Sequence, residues 1–209
     1  SYTPYQPEIS QGTLAVIFEY QSMICSLTGM DVSNASLYDG ATSLVEAVLM
    51  AKRVNKKKKN IVVANELNSQ YLDVLQTYLQ EETIHKSCDT DDICAIIVQT
   101  PDYYGTPHNL TKYKEICDKK GALLIVVNTE IISFGLLPAP KEADIVVGEA
   151  QSLGVAMNFG GPHLGYFACK QKYVRQMPGR ICGLTKDEEG KDGFVLTLNA
   201  REQHIRRQK

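Results

Sequence analysis

Several sequence patterns that would assign a chemistry directly are absent. The chain has no GxSxG turn of a serine hydrolase, no HExxH zinc helix, no GxxxxGKS or GxxxxGKT phosphate loop and no GxGxxG after a predicted strand. Its apolar runs are far shorter than the ~20 residues that cross a membrane. With a net charge of -2, it has no general attraction to nucleic acid or to an anionic membrane. We therefore expect partners that are neither nucleic acid nor membrane.

The cysteines also lack the spacing of a metal site. No two form a CxxC pair, and no histidine follows at the spacing of a zinc ligand. Most stand inside apolar runs, which indicates small buried thiols in a reducing compartment, either the cytosol or an organelle matrix. The cysteines are Cys25, Cys88, Cys94, Cys117, Cys169 and Cys182. We predict no metal site, and we see no local basic cluster that would activate a thiol.

Apolar periodicity predicts alternating helices and strands after an N-terminal arm. The arm, residues 1–12, contains two prolines and cannot form a regular helix. Predicted helices cover residues 13–27, 40–54, 70–79 and 110–120. Predicted strands cover residues 61–64, 94–98, 123–127, 144–147 and 165–169, with a last extended piece at 194–198. This alternation predicts one α/β domain over residues 1–209, with a mostly parallel sheet flanked by helices.

Ligands of such sheets bind beyond the carboxyl ends of the strands, so the turns at that edge are candidate sites. Gly40, Ala41 and Thr42 open a helix, where free N–H groups suit a phosphate. The alternative is a plain N-terminal cap formed by Asp39 or Thr42. The sequence leaves both interpretations open.

Two further loops have the same ambiguity. The loop at residues 100–109 carries Tyr103 and Tyr104, together with prolines and a histidine, and fits either the wall of a site or a rigid turn. The glycine-rich residues 159–165 include His163, and they fit either close approach to a ligand or a mobile connection.

Seven motifs in order along the chain resemble those of one family, glycine decarboxylase, the P-protein of the glycine cleavage system. They are residues 2–12 (YTPYQPEISQG), 19–23 (EYQSM), 34–42 (NASLYDGAT), 100–105 (TPDYYG), 143–154 (ADIVVGEAQSLG), 159–165 (FGGPHLG) and 200–207 (AREQHIRR). The resemblance covers essentially the whole chain, and it is to subunit 1, the alpha subunit or N-terminal half. Both ends look cut, which implies a fragment of a longer polypeptide.

The resemblance implies a fold, a reaction and partners. The fold is the large domain of the aspartate-aminotransferase type, fold type I of pyridoxal-phosphate enzymes. The reaction is decarboxylation of glycine with transfer of the aminomethyl group to a lipoylated H-protein, and the cofactor acts as an electron sink. The partner is a lysine-bearing beta subunit or C-terminal half. The implied location is the bacterial cytoplasm, or the mitochondrial matrix in a eukaryote.

The same resemblance implies that this chain holds no covalent cofactor of its own. In the lysine-bearing half, a His-Lys pair follows a strand like residues 144–147, and here the pair falls on Gln151 and Ser152. A serine hydroxyl cannot form a Schiff base. The aspartate that would pair with the pyridine nitrogen falls near Asn128, whose neutral amide cannot hold that nitrogen protonated. With the cofactor gone, the cap interpretation of Gly40, Ala41 and Thr42 gains over the phosphate interpretation.

We therefore expect this chain to serve a site owned by its partner. The stiff arm, with Tyr5, Gln6 and Glu8, is expected to line or close that site, and Tyr103, Tyr104 and His163 are further candidates for its lining. One alternative is a docking domain without direct catalytic contribution. Another is a self-sufficient pyridoxal-phosphate enzyme of a different type, for which the candidate lysines are Lys112, Lys119, Lys170 and Lys172.

Overall fold

The computed structural model describes residues 3–80 and 84–198. Its helices are α1 (Gln11–Thr28), α2 (Gly40–Val54), α3 (Ser69–Leu79) and α4 (Thr111–Lys120). Its strands are β1 (Val32–Ser33), β2 (Asn60–Val63), β3 (Ile84–His85), β4 (Ile93–Gln99), β5 (Leu123–Asn128), β6 (Ile145–Glu149), β7 (Gly165–Cys169), β8 (Ile181–Lys186) and β9 (Asp192–Thr197). Tyr2 of the predicted arm and the motif at residues 200–207 lie outside the described residues.

The main sheet has the strand order β1-β7-β6-β5-β4-β2-β3. Strands β3, β2, β4, β5 and β6 are mutually parallel, whereas β7 runs antiparallel to β6 and β1 antiparallel to β7. The prediction of a mostly parallel sheet is therefore confirmed. Because β7 runs in the opposite direction, its first residues lie at the same edge of the sheet as the last residues of β6.

Both faces of this sheet are covered by helices, as the sequence predicts. Along β4, Ala95 and Ile97 pack into the cluster formed with α2 and α3, whereas Ile96 and Val98 pack into the cluster formed with α1 and α4. Successive side chains of a strand point to opposite faces, so a strand buried on both sides must be apolar throughout. That requirement is why β4 and β5 read as unbroken apolar runs.

Two glycines end helices at the positions expected from the sequence. Gly29 follows α1 with φ 68° and Gly121 follows α4 with φ 59°. This left-handed conformation costs a glycine little, because it has no β-carbon to clash with the preceding turn. The sequence thus located both helix ends to within a residue.

The predicted and observed bounds differ most at the start of α1 and in the hairpin of β8 and β9. Helix α1 begins at Gln11, two residues earlier than predicted, after a 3-10 helix at Pro7–Ile9. The Gln11 side chain donates to the Phe194 carbonyl oxygen (2.9 Å) and accepts from the Phe194 N–H (2.8 Å). The extended piece predicted at residues 194–198 is confirmed over Phe194–Thr197, which belong to β9 and pair with β8 in a separate hairpin. Since half of the residues of β8 are exposed, it lacks the apolar run that predicts a strand.

A buried aspartate organises the opposite, amino-terminal edge of the parallel strands. Asp144 directly precedes β6, and its side chain is 1% exposed. Its Oδ2 accepts from the Leu124 N–H and from Lys114 Nζ, both at 3.1 Å. Burial by itself opposes the charged carboxylate, but these donors and the nearby Lys170 outweigh it and hold the pKa of Asp144 below its ordinary value.

We predict that Asp144→Asn lowers the free energy of unfolding by about 2 kcal/mol at neutral pH, because charge-assisted hydrogen bonds are lost. A lowered pKa in the folded state means that Asp144 stabilises the fold above the ordinary aspartate pKa. This contribution disappears as the pH falls through the lowered value. Urea unfolding of wild type and variant across acid pH measures both effects.

The matched control for this experiment is Asp73→Asn, which changes an exposed carboxylate on α3. Its stability should follow that of wild type at every pH. Stability curves of wild type and Asp144→Asn that stay parallel down to strongly acid pH would contradict the prediction.

Candidate functional site

The predicted loops converge on one edge of the sheet. Strands β2, β4, β5 and β6 end there, and β7 begins there. A bridge between Leu37 and Gly165 brings the start of α2 to the same edge. The turns after β4, β5 and β6 and the first residues of α2 therefore lie at the same edge of the sheet. This edge is the usual location of a ligand site in an open parallel sheet.

Asn128, the last residue of β5, is completely buried at this edge. Its Nδ2 donates to the Thr100 carbonyl oxygen (3.1 Å) and to Ser133 Oγ (2.7 Å). These two bonds join the loop after β4 to the 3-10 helix after β5. Its Oδ1 is also buried and has no hydrogen-bond partner among the described residues. The amide thus ties loops together and is shielded from any ligand in solvent.

Ser152 lies in the 3-10 helix Gln151–Leu153 that follows β6. Its hydroxyl donates to Oε1 of Glu130, which lies in the turn after β5. Ser152 is exposed, and its hydroxyl cannot form a Schiff base. This contact joins the two turns at the sheet edge and places no amine there.

Glu149, the last residue of β6, accepts three backbone hydrogen bonds at this edge. Its Oε1 accepts from the N–H groups of Gln151 (3.0 Å) and Leu164 (2.8 Å), and its Oε2 accepts from the Gly40 N–H (3.1 Å). Sequence reasoning assigned this residue no role. The only available signal was a carboxylate just after a buried strand, and nothing in the sequence pairs it with a helix more than a hundred residues earlier.

The start of α2 also carries the predicted cap. Asp39 Oδ1 accepts from the Thr42 N–H at 2.7 Å, and Thr42 Oγ1 accepts from the Asp39 N–H at 3.3 Å. This reciprocal pair is a capping box, and it satisfies groups that a helix leaves without partners at its first turn. The cap that the sequence offered as one alternative is therefore present, and Asp39 and Thr42 both contribute to it.

Three buried tyrosines feel the charge of Glu149. Burial raises the pKa of Tyr20, Tyr71 and Tyr166 well above the ordinary phenol value, and the negative charge of Glu149 raises each further. Tyr166 Oη donates to the Asn128 carbonyl oxygen at 3.5 Å. The raised pKa values keep these phenols neutral at physiological pH.

His163 lies beside this carboxylate. Its side chain is half exposed, and its Nδ1 is 3.8 Å from Glu149 Oε2. The predicted glycine-rich loop thus meets the same edge as Gly40. The structure places His163, Gly40 and the turn of Ser152 around one carboxylate, whereas the sequence offered them as separate candidates.

The loop at residues 100–109 is held rigid from within. Asp102 Oδ1 accepts from the N–H groups of Tyr104 and Thr106, both at 2.9 Å, and its Oδ2 lies 2.8 Å from His108 Nε2. The hydrogen bond from His108 is the main reason that the pKa of Asp102 is lowered, and the two backbone donors add to it. Tyr103 and Tyr104 project outward, with their ring centroids 5.5 Å apart in an edge-to-face arrangement.

The arm is packed onto the domain. Pro4 and Pro7 are buried, while Tyr5, Gln6 and Glu8 are exposed. Arg180 Nη2 donates to Tyr5 Oη at 2.9 Å. The Arg180 carbonyl oxygen accepts from the N–H of Ala35 at 2.7 Å, in the segment that leads to α2. A cleft of about 330 Å³ lies between this segment and Arg180.

The described part of the chain contains neither a metal-binding cluster nor a membrane-spanning helix. Within residues 3–80 and 84–198, no three His, Cys, Asp or Glu side chains come together as a metal ion would require. Over the same residues, no helix combines the length and the apolar character needed to cross a membrane.

A family model described as glycine cleavage system P-protein matches residues 1–209. Proteins called "Probable glycine dehydrogenase (decarboxylating) subunit 1" from Caulobacter vibrioides and Koribacter versatilis are 51% and 47% identical over 100% of this chain. The matches cover 50% and 51% of those proteins. The chain therefore spans about half the length of the curated relatives it matches.

Solved structures give the same picture. A crystal structure of glycine decarboxylase (P-protein) of the glycine cleavage system, in inhibitor-bound form, has a TM-score of 0.90 and 42% identity, over 99% of this chain and 50% of that one. A putative L-allo-threonine aldolase from Listeria monocytogenes has a TM-score of 0.58 and 17% identity, over 78% of this chain and 50% of that one. The second likeness shows the fold alone, which is that of type I pyridoxal-phosphate enzymes.

From the contacts of Asp102 we predict that Asp102→Ala loosens the loop at residues 100–109 without unfolding the domain. Amide hydrogen exchange should become several-fold faster at Tyr104 and Thr106, whose N–H groups lose their acceptor. Exchange within the buried strands should stay as in wild type. Unchanged exchange at both loop amides would show that Asp102 does not hold the loop.

Proposed function

The chain belongs to the glycine cleavage system P-protein family, and we propose that it is part of the half of that enzyme that carries no cofactor lysine. In this role it supports glycine decarboxylation and aminomethyl transfer to a lipoylated H-protein at a site whose lysine belongs to its partner. The partner is a lysine-bearing beta subunit or C-terminal half. The chain itself is proposed to be the large domain of a longer polypeptide, in keeping with its coverage of half of each relative.

The observation that carries this proposal is the chemistry at the sheet edge. Pyridoxal phosphate supplies an electron sink when a lysine amine and an anion-binding turn hold it. Here Ser152 stands in the turn after β6, and its hydroxyl is bonded to Glu130. Glu149 places a negative charge at the start of α2. The residues present therefore do not fit the cofactor, and we assign its binding to the partner.

Two of the four candidate lysines of a self-sufficient pyridoxal-phosphate enzyme lie far from the carboxyl edge of the sheet. Lys170 and Lys172 are 3.9 Å and 3.5 Å from Asp144 Oδ1, which precedes β6 at the opposite edge of the sheet. Lys112 and Lys119 are exposed at the two ends of α4. The positions of Lys170 and Lys172 support an inactive half over a self-sufficient enzyme, because a Schiff-base lysine must reach the cofactor at the carboxyl edge.

An apolar surface next to this edge supports association with the lysine-bearing partner. A groove of about 680 Å³ runs between α1 and the turn after β6, and its lining includes Met23, Leu27 and Leu153. Met157 and Phe159 continue the exposed apolar surface. Exposed patches of this kind are typical of protein interfaces. We propose that the lysine-bearing partner covers this groove, because its lining continues to Ala150 and Leu164 at the sheet edge where the partner's site is proposed to lie.

The arm is the proposed direct contribution to the partner's site. Tyr5, Gln6 and Glu8 present a phenol, an amide and a carboxylate from a short segment that buried prolines fix in place. A docked arm holds such groups with little loss of conformational entropy on binding. We further propose that Tyr103, Tyr104 and His163 line the same site from the sheet edge. We also propose that the protein works in the bacterial cytoplasm, because the relatives it matches are bacterial.

We predict that Tyr5→Phe and Glu8→Gln each lower kcat/KM for glycine decarboxylation in the complete enzyme by about tenfold or more, because each removes one polar contact to the reacting groups. Steady-state kinetics with glycine and H-protein measure the effect. Both variants should retain the assembly of wild type, which size-exclusion chromatography checks.

The matched controls are Tyr78→Phe and Glu115→Gln. Tyr78 on α3 is 58% exposed, close to the 59% of Tyr5, and Glu115 is exposed on α4. Kinetics of Tyr5→Phe and Glu8→Gln that match these controls would favour the alternative in which the arm serves docking alone.

A second prediction concerns the lysine. Borohydride reduction of the complete enzyme should fix pyridoxal phosphate to a lysine of the partner half, and peptide mapping should find no adduct within this chain. An adduct at Lys112, Lys119, Lys170 or Lys172 would establish the self-sufficient enzyme instead.

A further inference from the structure

The carboxylate of Glu149 has the position that a bound anion usually takes in this architecture. The first turn of a helix at the carboxyl edge of a parallel sheet binds phosphates, because its N–H groups and the helix dipole attract negative charge. We propose that Glu149 is a built-in anion that permanently occupies this phosphate position at the start of α2. The inference rests on geometry alone and does not depend on the reaction of the complete protein.

The hydrogen bonds of Glu149 are those of a bound anion. Its two oxygens accept from three backbone N–H groups, those of Gly40, Gln151 and Leu164, at 3.1, 3.0 and 2.8 Å. These donors come from α2, the turn after β6 and the residue before β7. Oxygens that collect backbone donors from several segments are the pattern by which proteins hold phosphate.

Most of the other N–H groups at the start of α2 are bonded within the turn. The Thr42 N–H is bonded to Asp39 Oδ1 at 2.7 Å, and the Asp39 N–H to Thr42 Oγ1 at 3.3 Å. The cap and the first three residues of a helix have N–H groups without intrahelical partners, and Glu149, Asp39 and Thr42 together bond three of these four. The Ala41 N–H is the one that remains for an external phosphate.

Space at this position is also filled. A β-carbon added at Gly40 would lie 2.0 Å from Tyr71 Oη and 2.9 Å from the Gly148 carbonyl carbon. Tyr71 and the backbone of β6 therefore pack closely against the first residue of α2. The Glu149 side chain is 18% exposed, so solvent screens its charge only in part. Glu149 therefore opposes an external phosphate by like charge and by occupying the Gly40 N–H.

The proposal predicts a chemical rescue. Glu149→Ala removes the anion and opens its space, so inorganic phosphate should take its place and restore stability. Glu149→Gln removes the charge but leaves the space filled, so phosphate should not restore it. Glu115→Ala, on the exposed surface of α4, is the matched control for loss of a glutamate.

The experiment measures thermal unfolding of the complete enzyme in phosphate buffer and in chloride buffer of equal pH and ionic strength. In chloride, Glu149→Ala should melt about 5 °C below wild type. Phosphate should recover about half of that loss. Phosphate also stabilises folded proteins in general, and its effect on wild type and on Glu115→Ala gives the part to be subtracted.

Three results would overturn the proposal. One is a melting temperature of Glu149→Ala equal to that of Glu115→Ala in chloride. Another is a phosphate effect that is the same for wild type, Glu149→Ala and Glu149→Gln. The third is failure of Glu149→Ala to fold in either buffer. Folding of Glu149→Ala in phosphate alone would support the proposal.

Discussion

The carboxylate of Glu149 holds together the edge of the sheet on which the site depends. It joins the first N–H of α2 to the turn after β6 and to the residue before β7, and these segments are far apart in the sequence. An isolated carboxylate in a partly buried place is costly, but three N–H donors and the positive end of a helix dipole offset that cost. The turn of Ser152 and the loop of His163 take their positions from the same contacts.

In the proposed function, a protein half organised in this way keeps the shape of a cofactor-binding domain without its chemistry. The fold of type I pyridoxal-phosphate enzymes is retained, including the helix that starts at the carboxyl edge. In the proposed function, Ser152 stands where the partner carries its lysine and Asn128 stands where an aspartate would meet the ring nitrogen. In the structure, Ser152 donates to Glu130 and the buried amide of Asn128 binds neighbouring loops. On that proposal the edge can be rigid, because it has no ligand to admit or release. Rigidity at this edge suits a domain whose proposed task is to support a neighbouring site.

Much of the fold was predictable because a sheet buried on both faces leaves a strong pattern. Strands β4 and β5 are continuous apolar runs, and Gly29 and Gly121 mark helix ends. The hairpin of β8 and β9 was only half found, because its side chains are partly exposed and its strands pair with each other outside the main sheet. The two-residue strands β1 and β3 are too short to carry any periodicity.

The sequence by itself determined the order of the four helices and of the long buried strands, and the family resemblance, because these depend on local pattern and residue type. The roles that the resemblance implies for Asn128 and Ser152 stay predictions. Only the tertiary structure decided that Glu149 faces the start of α2, since a contact between residues more than a hundred positions apart leaves no local trace. It also decided that the arm packs against Arg180 and β9. Strand pairing brings such residues together, and the pairing order follows from packing of the whole chain.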